Sequence, residues 1–115
     1  MPFDITKSVD IIETMENYLS TVRPRLEIRH QLDIGYELND QSVILNEIRP
    51  FWQNPKEIMT TGYAKATFVK SKNFWKIYWK RANQKWYSYE PKPHVRQLSD
   101  FLKIVDQDEY HCFKG

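Results

Sequence analysis

Asp33 and the triplet Glu47-Ile48-Arg49 form the grouping with the most definite chemistry. An acidic residue on one strand and an acid-x-base triplet on the next bring carboxylates together. With Glu16 from a preceding helix as a third, they would hold a magnesium ion while the base stabilises charge on an attacked phosphate, as in a metal-dependent nuclease. Three departures weigh against that reading. Arg49 stands where a lysine is usual, no Pro-Asp pair is present, and Pro50 breaks the segment after the triplet. Acidic residues on hairpin strands are commonly solvated neighbours, so the sequence assigns no catalytic group and no metal site beyond this weak alternative.

The remaining reactive side chains carry less. His111 and Cys112 are adjacent and cannot both face one ion comfortably, and with His94 and the distant His30 they match no zinc spacing. Cys112 is the only cysteine, which excludes an internal disulfide and a thiolate cluster. It reads as a small packed hydrophobe beside Phe113. The three glycines, Gly35, Gly62 and Gly115, are isolated, so there is no phosphate-binding loop and no cofactor is expected.

A stronger signal lies in how charge and rings coincide. The net charge of +2 hides an uneven distribution. Residues 63 to 96 hold nine Lys or Arg against one acidic residue, and nine of the chain's seventeen aromatic residues. Both flanks are acidic. Interleaved rings and ammonium groups are what single-stranded nucleic acid meets on a protein surface, bases stacking while cations approach phosphates.

The elements that must position this block follow from periodicity. Val9, Ile12, Met15, Leu19 and Val22 recur at helical spacing from Ser8, a plausible N-cap, until Arg23-Pro24 stops the run. Leu32, Ile34, Tyr36 and Leu38 then alternate with polar residues as a half-buried strand does. Asn39-Asp40-Gln41 supplies a turn, and Ser42 to Arg49 returns. Pro50 and Pro55 bracket an aromatic connection, followed by a polar stretch through Gly62. Three more strands are expected, near Lys65 to Val69, Phe74 to Arg81 and Trp86 to Tyr89, and short polar turns between them imply antiparallel neighbours. After Pro93 a second amphipathic helix carries Val95, Leu98, Leu102 and Val105 on one face, with Phe101 beside it.

These elements predict an α+β fold: a five-stranded antiparallel sheet flanked by an N-terminal and a C-terminal helix, in a single domain over residues 1 to 115. If both later turns span four residues, Phe68, Trp75, Ile77, Trp79 and Trp86 share the core face. Lys65, Thr67, Lys76, Tyr78, Lys80, Tyr87 and Tyr89 then share the other, with Arg81 at the strand end. Ordinary sheets are also rich in Tyr and Trp, and lysine is a normal occupant of a solvated face.

The runs Glu47 to Trp52, Ala64 to Val69, Trp75 to Arg81 and Lys85 to Tyr89, with the tail from Asp108 through Cys112-Phe113 to Gly115, resemble the bacterial family catalogued as domain of unknown function 3024. The resemblance covers nearly the whole chain. It implies a bacterial, cytoplasmic, single-domain protein and carries over no catalytic residues.

No basic leader with an apolar run and no stretch of membrane-spanning length is present, so a cytoplasmic protein without membrane attachment is expected. The expected function is binding of single-stranded nucleic acid or another polyanion through Lys65, Lys76, Tyr78, Lys80, Arg81, Tyr87 and Tyr89. The alternative is a protein-interaction or homodimerisation module in which the tyrosines and Trp52 anchor a partner, Tyr, Trp and Arg being the residues that dominate interface energetics. Binding is favoured over catalysis.

Overall fold

The computed structural model describes residues 3–114. Met1, Pro2 and the last residue of the tail, Gly115, lie outside them. In chain order the elements are helix α1 (Ile5–Val22), strands β1 (Asp33–Asn39), β2 (Ser42–Phe51), β3 (Asn54–Val69), β4 (Phe74–Lys80), β5 (Trp86–Ser88) and β6 (His94–Val95), and helix α2 (Leu98–Gln107). The strands form one antiparallel sheet in the order β1-β2-β3-β4-β5, with β6 also on β4. The expected α+β architecture is therefore present, with one strand more than the sequence indicates.

That extra strand has a simple origin. β5 lies along Tyr78–Lys80 and β6 along Trp75–Lys76, on the same side of β4. Between them the Ile77 carbonyl accepts the Tyr89 N–H at 2.9 Å, and the Ile77 N–H donates to the Pro93 carbonyl at 2.9 Å. Residues 86 to 95 thus act as one strand interrupted by a detour at 90 to 92. Val95, expected to open the second helix, instead pairs with Trp75 and is buried, a β-branched residue on a pleated surface. The helix starts three residues later.

Helix α1 also differs from expectation in its start and in its buried face. Asp4, not Ser8, caps it, its carboxylate accepting the Lys7 N–H at 2.7 Å. The buried residues are Ile11, Met15, Tyr18 and Leu19, whereas Val9 and Ile12 are exposed. The face is rotated because Tyr18, whose polar tip suggests a surface position, is interior: its hydroxyl donates to Asp106 of α2 at 2.7 Å. Burial, and then that hydrogen bond, push the Tyr18 phenol well above its ordinary pKa.

The core lies between the two helices and one face of the sheet. Val43, Leu45, Ala64, Ala66, Trp75 and Ile77 supply the sheet side; Ile11, Met15, Phe101, Leu102 and Val105 supply the helix side. Alanines in the central strand β3 leave volume for the bulky helix side chains. Beyond the helices, β2 and β3 continue as a projecting hairpin arm, Phe51 pairing with Asn54 across Trp52-Gln53. The polar stretch expected to run through Gly62 is therefore strand, part of β3 from Asn54, and the aromatic connection supplies its turn at Trp52-Gln53. Ile58, Met59, Thr60 and Thr61 suit extended backbone, and the prolines are tolerated where one side of the ribbon has no neighbouring strand.

The C-terminal tail is tied down by one carboxylate. Asp108 occupies the left-handed C-cap of α2 (φ 41°), is buried, and accepts the N–H of Phe113 at 3.0 Å and of Lys114 at 2.9 Å. This holds Phe113 against Tyr89, ring centroids 5.0 Å apart. Two hydrogen bonds to a buried charged acceptor contribute about 1.5–3 kcal/mol each. Asp108→Ala should lower unfolding stability by at least about 2 kcal/mol, with Asp108→Asn costing less. Urea unfolding followed by tryptophan fluorescence measures this, and equal stability of wild type and Asp108→Ala would refute the anchoring role.

Candidate polyanion-binding face

The site's geometry depends on two turns. The first spans four residues as expected, Val69 pairing with Phe74. The second is longer: Lys80, not Arg81, pairs with Trp86, and the turn runs from Arg81 to Lys85 with Gln84 in the left-handed region (φ 66°). One residue of slip exchanges the faces of a strand. β5 is therefore inverted relative to the sequence expectation. Tyr87 lies opposite Trp79 on the helix side, Tyr89 is in the core at 3% exposure, and Trp86 joins the open face.

On that open face, alternate residues of successive strands fall in rows. One row runs Trp86, Lys80, then Gly62 and Asn46 across the β-bulge in β3; the next runs Ser88, Tyr78, Lys65, Ile44. Of the expected binding residues, the structure brings Lys65, Lys76, Tyr78 and Lys80 together here. Trp86 is the member that sequence reasoning assigned to the core.

The indole of Trp86 lies over Gly62. A Cβ on Gly62 would come within 3.2 Å of the indole Cζ2, 2.9 Å of Ile44 Cγ2 and 3.4 Å of Asn46 Oδ1. Ile44 and Asn46 are buried although they point away from the helices. The open face thus has a small packed floor of its own, and the ring is set in it.

Two ammonium groups meet this ring. Lys65 Nζ is 5.0 Å and Lys80 Nζ 4.9 Å from its centroid, and Lys65 Nζ is also 4.9 Å from the Tyr78 centroid. These are cation–π distances. Among the described residues, no carboxylate lies within ion-pair distance of either lysine. Partial burial, and then the like charge of Lys80, lower the Lys65 pKa below the ordinary lysine value.

Arg81 and Tyr87 form a second unit on the helix side. The guanidinium stacks 4.4 Å from the Tyr87 ring centroid and 5.1 Å from that of Trp79, and Asn83 Nδ2 donates to the Tyr87 hydroxyl at 2.7 Å. Tyr89 belongs to neither unit.

The nuclease arrangement does not assemble. Asp33 pairs in register with Ile48 and Glu47 with Ile34, so the two acids fall on alternate positions. Asp33 is held by Arg23 through two hydrogen bonds of 2.9 and 2.6 Å, and Glu47 by Arg49 at 2.8 Å. Glu16 stands near Tyr36, whose phenol pKa is raised by burial and then by that carboxylate. Among the described residues no three His, Cys, Asp or Glu side chains converge as metal ligands would. His94 stacks on Phe74 with centroids 4.4 Å apart, and burial raises the Cys112 thiol pKa, which disfavours a reactive thiolate. Beside the Glu47–Arg49 pair, Gln31, Pro50, Trp52, Met59 and Thr61 line an open groove of about 530 Å³ under the hairpin arm.

Two outcomes follow from these contacts. Gly62→Ala should cost about 1–3 kcal/mol, the usual penalty of overpacking, and should shift the tryptophan emission as the indole is displaced. An unchanged melt and spectrum would contradict the packed floor. The Arg23 hydrogen bonds hold the Asp33 carboxyl below its ordinary pKa, so its stabilising contribution is present above about pH 4 and is lost as pH falls through the folded value. The stability gap between wild type and Asp33→Asn should therefore narrow in acid; a gap constant from neutral pH to about pH 2 would contradict this.

No helix among the described residues is long and apolar enough to cross a membrane. No curated protein and no solved structure matches the chain. One family model does match, over residues 3–115 and hence nearly the whole length, and the chain belongs to that family, described as Domain of unknown function (DUF3024).

Proposed function

We propose that this single-domain, cytoplasmic protein binds single-stranded nucleic acid, or another flexible polyanion, on the open face of its sheet through Lys65, Lys76, Tyr78, Lys80 and Trp86. The observation that carries the reading is the pair of ammonium groups, Lys65 and Lys80, placed about 5 Å from one indole without a neighbouring carboxylate. Two like charges held close on a partly desolvated apolar platform repel each other. A phosphate relieves that repulsion, while Trp86 and Tyr78 offer π surface to a base. Base stacking contributes about 1–3 kcal/mol per base. Because an approaching anion favours the charged lysine, affinity should decline as pH rises through the depressed Lys65 pKa.

The second reading, a protein-interaction or homodimerisation module, is supported by a different part of the molecule. Trp52 at the tip of the hairpin arm is 80% exposed, and Ile58 and Met59 beside it are also exposed. Such a side chain is the type that anchors an interface.

A titration with oligodeoxythymidylate, followed by intrinsic fluorescence at low and moderate salt, tests the first reading. Quenching that weakens with salt, with a logarithmic slope of about −0.7 per neutralised phosphate, is the expected result. Lys65→Gln with Lys80→Gln should weaken binding, and Trp86→Leu should remove most of the quenching. Binding of inorganic polyphosphate with equal affinity would assign the face to polyanions in general. No binding at either salt, together with a concentration-dependent dimer in light scattering that Trp52→Ala dissociates, would replace the first reading with the second.

A further inference from the structure

The two cation–ring units stand back to back. Lys80 and Arg81 are consecutive, as are Trp86 and Tyr87, and the Lys80↔Trp86 and Trp79↔Tyr87 pairs are neighbours in the ladder. Alternation therefore sends Lys80 and Trp86 to the open face and Tyr87 to the helix side, where Arg81 stacks on it at 4.4 Å. Both units lie at the sheet edge closed by β5, whose outer side has no partner strand among the described residues. Lys85 sits on the turn that joins them and is exposed. Like Lys80, Arg81 has no carboxylate within ion-pair distance among the described residues. Unneutralised positive charge, with a ring beneath Lys80 and another beneath Arg81, thus runs from one face of the sheet to the other around this edge.

We infer that a single-stranded nucleic acid bends around the β5 edge, lying against Lys80 and Trp86 on one face and Arg81 and Tyr87 on the other, with Lys85 at the crossing. The inference rests on the polyanion reading of the open face and narrows it. A sheet with its side chains is about 10 Å thick. A duplex, with a persistence length of about 50 nm, cannot fold around such an edge, whereas a single strand can. The ligand class is therefore a flexible strand. Arg81 and Tyr87 regain the binding role that their residue types suggest, on the face opposite to the one expected.

Fluorescence anisotropy with a labelled oligodeoxythymidylate of about 12 nucleotides, within the range that a small domain occupies, tests this directly. Arg81→Gln is expected to weaken binding about three- to tenfold and to reduce the salt slope by about 0.7, one phosphate's share. Lys85→Gln, at an exposed turn position that no packing depends on, should weaken binding in the same direction and guards against a folding effect of the Arg81 change. Lys103→Gln, on the outer surface of α2, should change nothing. A blunt duplex of the same length should bind more weakly and be indifferent to Arg81→Gln.

The outcomes are separable. If Lys65→Gln with Lys80→Gln abolishes binding while Arg81→Gln and Lys85→Gln bind as wild type does, the strand stays on the open face and the edge crossing is overturned alone. If a duplex binds as tightly as the single strand and with equal sensitivity to Arg81→Gln, the flexible-strand assignment is overturned. Absence of binding by the wild type at low salt removes both this inference and the reading beneath it.

Discussion

Tyr89 settles which residues face the solvent. Its N–H donates to the carbonyl of Ile77, a fully buried position on the helix side, and its ring packs against Phe113. Phe113 is in turn held by the Asp108 carboxylate. Once Tyr89 is committed to the core, strand alternation assigns Tyr87 to the same side and Trp86 to the other. The turn before β5 must then accommodate one more residue, which it does by placing Gln84 in the left-handed region. An interaction between a tyrosine and the chain's last residues thus determines the composition of a surface on the opposite side of the sheet.

The consequence for charge is direct. Helices cover one face of the sheet only, so the other face would ordinarily hide nothing. Here Ile44 is buried at 9% exposure and Asn46 at 5%. Trp86, reaching over Gly62, takes the place of a covering element. It brings Lys65 and Lys80 with it, because the π face of an indole is an electrostatic minimum for a cation. Packing and charge placement on this face are therefore one feature. The ring that protects the floor also gathers the ammonium groups.

The sequence disclosed the architecture more fully than the surface. Helical and alternating periods of apolar residues located both helices and five of the strands, because burial imposes those periods directly. The carboxylate grouping at Asp33 and Glu47 could be weighed from spacing, but not the competing partners Arg23 and Arg49 that occupy it. The face of β5 was not legible. It depends on contacts between Tyr89 and Phe113, 24 residues apart in sequence, and local pattern carries no trace of them. The arm from Asn54 to Gly62 was obscured for a different reason: Pro55 and the charged Lys56 and Glu57 mask a ribbon that has water on much of its surface, so no hydrophobic alternation is required of it. On α1 the expected stripe is only rotated: Met15, Leu19 and Val22 do turn inward, but Ile11 and Tyr18 replace Val9 and Ile12, since Tyr18 is interior through a hydroxyl partner on α2.

The same physics constrains how the open face can be used. The Trp86 indole lies close to Gly62, where an added Cβ would meet its Cζ2 at 3.2 Å alongside Ile44 and Asn46. Lys65 and Lys80 approach that ring and compete with any aromatic ligand for it. A base can stack only if the ammonium groups swing toward the edge of the indole, and a phosphate attached to that base supplies the reason for them to move. A neutral aromatic compound would have to displace two cations with no compensating charge. On the proposed reading, a molecule that carries both a ring and an anion would engage the indole and the two ammonium groups together, whereas a polyanion without rings would meet the ammonium groups only.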